Sequence, residues 1–544
     1  MNRFFVLITM IVGLTACQHQ TWFQTSESKT SQSTADALED SPEVSSTEQK
    51  VIVEEQLIDE IDVVEISEEN SASEVAEADN LWWMIRQQLA LDIPEKRRLI
   101  SQRNWYAKHP AYIARVSARA RPYLHHIYEQ LEQRKMPMEL ALLPIVESAF
   151  DPFAYSHGRA SGMWQFIPGT GKRFGLRQNW WYDGRRDVFY STHAALDYLA
   201  YLHKRFDGDW LHAIAAYNSG EGNVIRAIRK NKRKNLPTDF WSLDLPKETE
   251  AYVPKLLALA DLLKNYQTYE LTWTPVANTP YFEKVTVDSQ IDLVVAAELA
   301  ELDLEDFYTL NPAFNHWATE PKRDTDLLFP IANAQIFKQA LKSTPKEQRI
   351  AFKRYVIQPG DSLLSLSKKF NTTVELLRST NGIRGNLIRV GKPLLIPTAA
   401  YTAGQYSKSS QNRTAAKQNR QRDGQKVHIA VQSGDSFWSL AKEYKVGMRQ
   451  LAAWNNMAPT DPLRIGQKLV VWTEHPKGIA VQSGIKNKTR KIRYSVRRGD
   501  SIARIAGKFN VRVADVVRWN QINPKKYLQP GQRLTLYVDI TQQY

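Results

Sequence analysis

From about residue 81 to residue 266, apolar side chains recur at three- and four-residue spacing, the period of helices that bury one face. Residues 111–132, 139–149, 191–205, 211–216 and 251–263 carry this pattern most clearly and predict five helical segments. Asp207-Gly208-Asp209 punctuates two of them as a turn. Pro137 before Met138-Glu139 suits a helix start and Asp151-Pro152 a helix end. About 180 residues of this texture are enough to fold alone.

Beyond Tyr266 the period shortens and a repeat emerges. Tyr355-Val-Ile-Gln-Pro-Gly-Asp-Ser362, Ile429-Ala-Val-Gln-Ser-Gly-Asp-Ser436 and Tyr494-Ser-Val-Arg-Arg-Gly-Asp-Ser501 each read as a short strand ending in Gly-Asp-Ser. In every copy an Asn follows the Gly by 21 residues (Asn381, Asn455, Asn520), and a second Gly (Gly391, Gly466, Gly531) opens an aliphatic return strand. The unit predicted is strand, glycine turn, a helix capped by Asp or Ser, a second helix running into Asn, and a return strand. Three such copies resemble LysM domains, βααβ modules that bind chains containing N-acetylglucosamine. The resemblance covers 353–397, 427–472 and 492–538. A fainter copy lies 70 residues earlier: Val285-Thr-Val-Asp-Ser289 falls on the opening strand, Asn311 on the Asn381 position and Leu327-Leu-Phe-Pro330 near the return strand. Gln290 and Ile291 stand where the turn's Gly and Asp should be. Residues 267–350 are therefore expected to form a degenerate LysM-like spacer packed on the helical domain.

The remaining segments are polar. Residues 398–426 and 473–491, rich in Ser, Gln, Asn, Lys and Arg, read as flexible basic linkers that leave the modules as beads on a string. Residues 18–80 hold 17 acidic side chains against two lysines and no glycine, a composition that does not offset the entropy of ordering. Residues 17–80 thus read as an acidic tether, of about 45 Å root-mean-square span for a flexible coil. Since the chain carries a net +14, its body beyond the tether is strongly basic, which fits an anionic polymer, envelope or nucleic acid equally. The amino terminus narrows the choice. Met1-Asn2-Arg3, the apolar run to Leu14 and then Leu14-Thr-Ala-Cys17, with the chain's single cysteine, resemble an export signal over residues 1–16 ending in a bacterial lipobox. That resemblance implies acylation of Cys17, a membrane anchor and, with Gln18 next, an outer-membrane lipoprotein facing the periplasm of a Gram-negative bacterium. A single cysteine rules out a disulfide scaffold, and no apolar run after the first 16 residues would span a bilayer.

Four segments of the helical region carry candidate chemistry. Glu147 interrupts the apolar run Leu142-Leu-Pro-Ile-Val-Glu-Ser-Ala-Phe150, and burial there should raise its pKa, as a general acid requires. Ser161-Gly-Met-Trp-Gln-Phe166 combines a glycine that permits close backbone approach with apolar walls and an amide. Tyr217-Asn218 ends a helix before Gly220, and Glu248-Thr-Glu-Ala-Tyr252 opens the last helix. Taken singly, the last three are as readily explained by packing and capping. In this order they resemble the motif set of family 1 lytic transglycosylases, whose catalytic domain is lysozyme-like. The fold expected is thus multidomain α+β: a mostly α lysozyme-like domain over 81–266 followed by small βααβ modules on flexible linkers.

The resemblance implies Glu147 as catalytic acid/base. It implies Ser148, Ser161, Met163, Gln165, Phe166, Tyr217, Asn218 and Tyr252 as substrate-binding residues, with Trp164 departing from the family's usual methionine. It implies peptidoglycan glycan strands as the partner, a role in cell-wall turnover, and no cofactor, metal or nucleic acid. Cleavage between N-acetylmuramic acid and N-acetylglucosamine would be non-hydrolytic and leave 1,6-anhydromuramic acid ends. Two alternatives stay open: a hydrolytic muramidase, were Asp151, Asp183 or Asp187 to face the scissile bond, and an inactive wall-binding lipoprotein. None of the 11 histidines sits in a metal-binding pattern, and the adjacent His125-His126 are expected at the surface.

Overall fold

The computed structural model describes residues 79–474 and, with short gaps, 489–539. The signal-like segment, Cys17, the acidic tether to residue 78 and most of 473–491 lie outside the described residues. Among the described residues no helix is long and apolar enough to cross a membrane.

Ten α-helices among the described residues build the first domain: α1 (Leu81–Gln87), α2 (Arg97–Ala107), α3 (Pro110–Arg119), α4 (Leu124–Arg134), α5 (Leu143–Ser148), α6 (Pro168–Arg173), α7 (Val188–Arg205), α8 (Trp210–Ser219), α9 (Glu221–Arg233) and α10 (Lys247–Lys264). The central helix is α10, buried on every side from Leu256 to Leu263. Two segments that read as continuous helices are divided. Pro122 lacks an amide hydrogen and disfavours helical geometry at Arg121, so 111–132 becomes α3 and α4. Likewise Pro144 opens α5 and separates it from a 3₁₀ turn over Met138–Leu142. Glu139 in that turn is fully buried, its carboxylate accepting the amides of Ala90 and Leu91 at 2.7 Å each. His126 corrects an expectation: it is buried, stacked on Phe189 at 4.9 Å, and desolvation pulls its pKa to about 3.

The spacer pairs β1 (Phe282–Val287) antiparallel with β2 (Thr325–Pro330), with α11 (Leu293–Leu299) and α12 (Leu304–Leu310) between them and α13 (Ile331–Ser343) after. Trp181 and Tyr182 of the helical domain lie in the same apolar cluster as Ile291, Phe307, Phe314 and Phe329 of the spacer. Arg186 seals the join through the carbonyls of Pro312 (2.8 Å) and Ala313 (3.2 Å).

Each βααβ module then repeats one plan. The first comprises β3 (Ala351–Val356), α14 (Leu363–Lys369), α15 (Val374–Asn381) and β4 (Pro393–Thr398). The second comprises β5 (Gln425–Ala430), α17 (Phe437–Tyr444), α18 (Met448–Trp454) and β6 (Lys468–Thr473). The third comprises β7 (Thr489–Ser495), α19 (Ile502–Lys508), α20 (Val513–Asn520) and β8 (Arg533–Asp539). In the first two, Ser362 and Ser436 cap the first helix through reciprocal bonds with Ser365 and Ser439. Between the first and second modules lies α16 (Ser410–Asn419). The segment that reads as a flexible linker is therefore structured. Its composition conceals anchors: the Tyr406 hydroxyl (2.7 Å) and the Ala400 amide (2.9 Å) both donate to Asp292, and the Tyr401 hydroxyl donates to Glu298 at 2.6 Å.

Candidate active site

Glu147 occupies the last turn of α5. Residues 138–145 before it are buried, whereas Val146, Glu147 and Ser148 keep partial exposure, so the carboxyl sits where the core opens. The helix stops abruptly: Ala149 (φ 51°) and Phe150 (φ 58°) are both left-handed, which costs non-glycine residues about 1–2 kcal/mol each. Their amides return to Ile145 (3.2 Å) and Pro144 (3.1 Å), and the Phe150 ring is buried. This enforced stop presents the Glu147 side chain instead of continuing the helix over it.

Burial pushes the Glu147 carboxyl up to about 8. The Tyr252 hydroxyl, donated to Oε1, opposes the rise, and the negative charge of Glu248 adds to it. Tyr252 and Glu248 stand four residues apart on α10 and so share a helix face. Burial and Glu147's charge together push the Tyr217 and Tyr252 hydroxyls well above the ordinary tyrosine range, keeping both as neutral donors.

The chain from Tyr155 to Phe166 folds into a tight hairpin, with Ser161 bridged to both ends. Gly162 (φ 83°) is obligatory at its turn, because a Cβ there would lie 2.0 Å from the Arg185 carbonyl oxygen. Arg185, paired with Asp183 at 2.7 Å, clamps the hairpin by donating to the carbonyls of Arg159 (2.7 Å) and Phe166 (3.2 Å). The hairpin's own carbonyls then fasten the site. Met163 accepts the Ser148 hydroxyl (2.9 Å), and Trp164 accepts the Tyr217 hydroxyl (2.8 Å). The Trp164 ring is fully buried with its indole N–H on Thr192 at 3.0 Å, so this departure from the family pattern is accommodated in the core.

The residues singled out in the sequence separate into two groups. Ser148, Gln165, Tyr217 and Asn218 retain exposed surface beside Glu147's helix and the hairpin. Ser161, Met163, Phe166 and Tyr252 are each below 5% exposed, and their surroundings are protein. Asn218 is oriented by the Thr249 hydroxyl at 2.8 Å, and Gln165 by the Gly162 carbonyl at 2.8 Å. Thr192 and Arg185 are contributors outside the segments that carry candidate chemistry in the sequence, while Glu248 and Thr249 lie inside one of them without an assigned role. Glu248 alone had a signal, its helical spacing from Tyr252.

Three aspartates were candidates for a second carboxylate, and each is engaged elsewhere. Asp151 accepts the Phe153 amide at 2.8 Å. Asp183 pairs with Arg185 and Arg186. Asp187 caps α7 and accepts the Tyr182 hydroxyl at 2.7 Å. Among the described residues no group of His, Cys, Asp and Glu is arranged to hold a metal.

Comparison with known proteins identifies the domains. Residues 126–239 match the transglycosylase SLT domain; residues 355–397, 429–472 and 494–536 match the LysM domain. Residues 281–346 match the LysM-like domain of the lytic transglycosylase MltD. The chain is a peptidoglycan lytic transglycosylase with a helical catalytic domain followed by LysM-like modules. It belongs to the family of membrane-bound lytic murein transglycosylase D: the Escherichia coli K12 protein of that name is 35% identical over 420 residues, spanning 75% of this chain and 88% of that one. A putative tributyltin chloride resistance protein from an Alteromonas species is 41% identical over 202 residues, 36% of this chain and 96% of that protein. The 70 kDa soluble lytic transglycosylase Slt70 of Escherichia coli overlaps 32% of each chain at 22% identity, with a TM-score of 0.23.

Proposed function

We propose that Glu147 alone performs both proton transfers in a non-hydrolytic cleavage of the β-1,4 bond between N-acetylmuramic acid and N-acetylglucosamine. The observation that carries this reading is a carboxyl held protonated near neutrality, with all three candidate aspartates committed elsewhere. Neutral Glu147 protonates the glycosidic oxygen as the C1–O bond breaks. With the three candidate aspartates engaged in contacts of their own, the muramoyl 2-acetamido oxygen attacks C1 with the high effective concentration of an intramolecular group. Glu147, now a carboxylate stabilised by the Tyr252 hydroxyl, takes the proton of the sugar's C6 hydroxyl. That oxygen closes on C1, the acetamide is released, and a 1,6-anhydro end forms without water.

Ser148, Gln165, Tyr217 and Asn218 are the residues we assign to contact the glycan. Ser161, Met163 and Phe166 support the hairpin from beneath, and Tyr252 acts on the carboxyl. Acylated Cys17 would tether the enzyme to the outer membrane, with the acidic segment as its reach toward the wall. This assignment rests on the lipobox-like sequence and on the name of the Escherichia coli relative.

Digestion of purified sacculi separates the readings by mass. Anhydro ends, one water lighter than reducing ends, are expected from the native chain and none from Glu147→Gln, which should still sediment with sacculi. Reducing ends would replace the proposal with a muramidase, and unchanged cutting by Glu147→Gln would remove Glu147 from it.

A further inference from the structure

We propose that the second LysM module is a fixed extension of the catalytic body, locked on by an ion pair between Asp461 and the hairpin that leads into the active site. Asp461 lies in the loop between α18 and β6, where its Oδ2 is oriented by the Ala458 amide at 2.8 Å. Its Oδ1 stands 2.7 Å from Arg159 Nε, and Oδ2 accepts the Tyr155 hydroxyl at 3.0 Å. Arg159 and Tyr155 belong to the hairpin whose far end fastens Ser148 and Tyr217. In the docked chain the Asp461 side chain is 13% exposed while Arg159 and Tyr155 keep 42% and 36%, so the contact is half-desolvated and draws its hold from two partners on one carboxylate.

A second, independent contact runs through α16. Ser410 N–H donates to Asn315 O of the spacer (2.8 Å), the Arg413 guanidinium lies over the Phe153 ring at 5.1 Å, and Gln418 Nε2 donates to Asn455 Oδ1 of the second module (2.9 Å). One ten-residue helix thus touches spacer, catalytic domain and second module at successive turns.

The repeats themselves point to specialisation. Counting back five residues from the glycine that opens each return strand gives Asn386, Asp461 and Lys526. Only the second copy carries an acid facing Arg159. The docked module also leaves its apolar rim free, with Trp438 64% and Ile465 75% exposed. Docking therefore holds the module beside the catalytic hairpin without covering that rim, and a glycan strand gripped there enters the catalytic domain from a set distance.

Amide hydrogen exchange on the full chain tests the lock. Asp461→Arg and, from the catalytic side, Arg159→Asp should each speed exchange about tenfold or more in residues 155–161 and 410–419. The β5–β6 amides should stay protected, and the double charge swap should restore the native pattern. Asp461→Arg should also release muropeptides from sacculi about three- to tenfold more slowly, while cutting short soluble glycans at the native rate. Unchanged exchange in both single variants would overturn the docking. Faster release from sacculi would show a restraint instead of an extension and overturn the role assigned to it.

Discussion

Glu147 holds its proton because three influences act on it in opposing senses. Desolvation and the Glu248 charge favour the acid; the Tyr252 hydroxyl favours the carboxylate. The proposed first step needs the acid, so kcat/KM should fall as pH rises through about 8. Removing Glu248's charge with Glu248→Gln should move that limb down, and Tyr252→Phe should move it up while lowering the rate, both read from pH–rate profiles. Glu147→Gln should cost at least about 10²–10⁴ in rate. The same group weakens the fold. A carboxyl whose folded pKa is raised from 4.5 to about 8 binds its proton more tightly in the native state, so the stability it contributes is lost as pH rises from about 4.5 to 8. The thermal midpoint of Glu147→Gln relative to the native chain should therefore climb across that window and level off above it. A shift in the opposite direction would mean the carboxyl is paired and not desolvated. Glu147 was legible as a candidate because an acid interrupting an apolar run is costly to bury, and the structure does place its carboxyl in a desolvated position. The roles of Thr249 and Arg185 were not, because they depend on contacts across 31 and 26 residues of chain.

At the scale of elements, the turns carry the constraint. Gly162→Ala would place a methyl group against the Arg185 backbone in a left-handed conformation, at a cost of about 2–4 kcal/mol. The hairpin would shift, and activity should drop with the thermal midpoint, measured together. The repeat asparagine has a comparable position in each module. Asn455 donates to Leu451 O and Val470 O (2.8 Å each) and accepts Val470 N–H (2.7 Å), pinning helix to return strand. Asn381 and Asn520 make the same three bonds, and so does Asn311 of the spacer, with Phe307 O, Leu328 O and Leu328 N. Asn455→Ala should destabilise its module by about 3 kcal/mol, since it strands buried strand groups, with the loss seen as faster exchange in β5 and β6. The 21-residue spacing exposed this position in sequence because a local clamp must recur at fixed distance. The α16 helix offered no such signal: its stabilising contacts are with other modules, and its own composition is that of a solvated linker.

Across the whole molecule, shared apolar cores and the polar contacts between separate ones decide which parts move as one. The spacer's cluster takes in Trp181 and Tyr182 from the catalytic domain, Leu376 from the first LysM module and Tyr406 from the segment before α16, so these four regions share a core. The second and third LysM modules each enclose, among the described residues, a cluster of their own side chains, including Val431, Leu440, Leu451 and Val471 in one and Val496, Ile505, Val516, Leu534 and Leu536 in the other. The second is joined to the catalytic body through Asp461 and α16, and the third carries Lys526 where the second has Asp461. Removing residues 489–544 should therefore leave the thermal unfolding of the remaining chain unchanged. Its effect belongs to binding: each module that grips the same polymer turns the next binding event into an intramolecular one. Loss of the third module should weaken sedimentation with sacculi by about tenfold or more, a small share of the avidity that linked sites can supply, while the rate on short soluble glycans stays constant. An equal fall on both substrates would mean that this module reaches the catalytic domain, and its self-contained core would then be a poor guide to its independence.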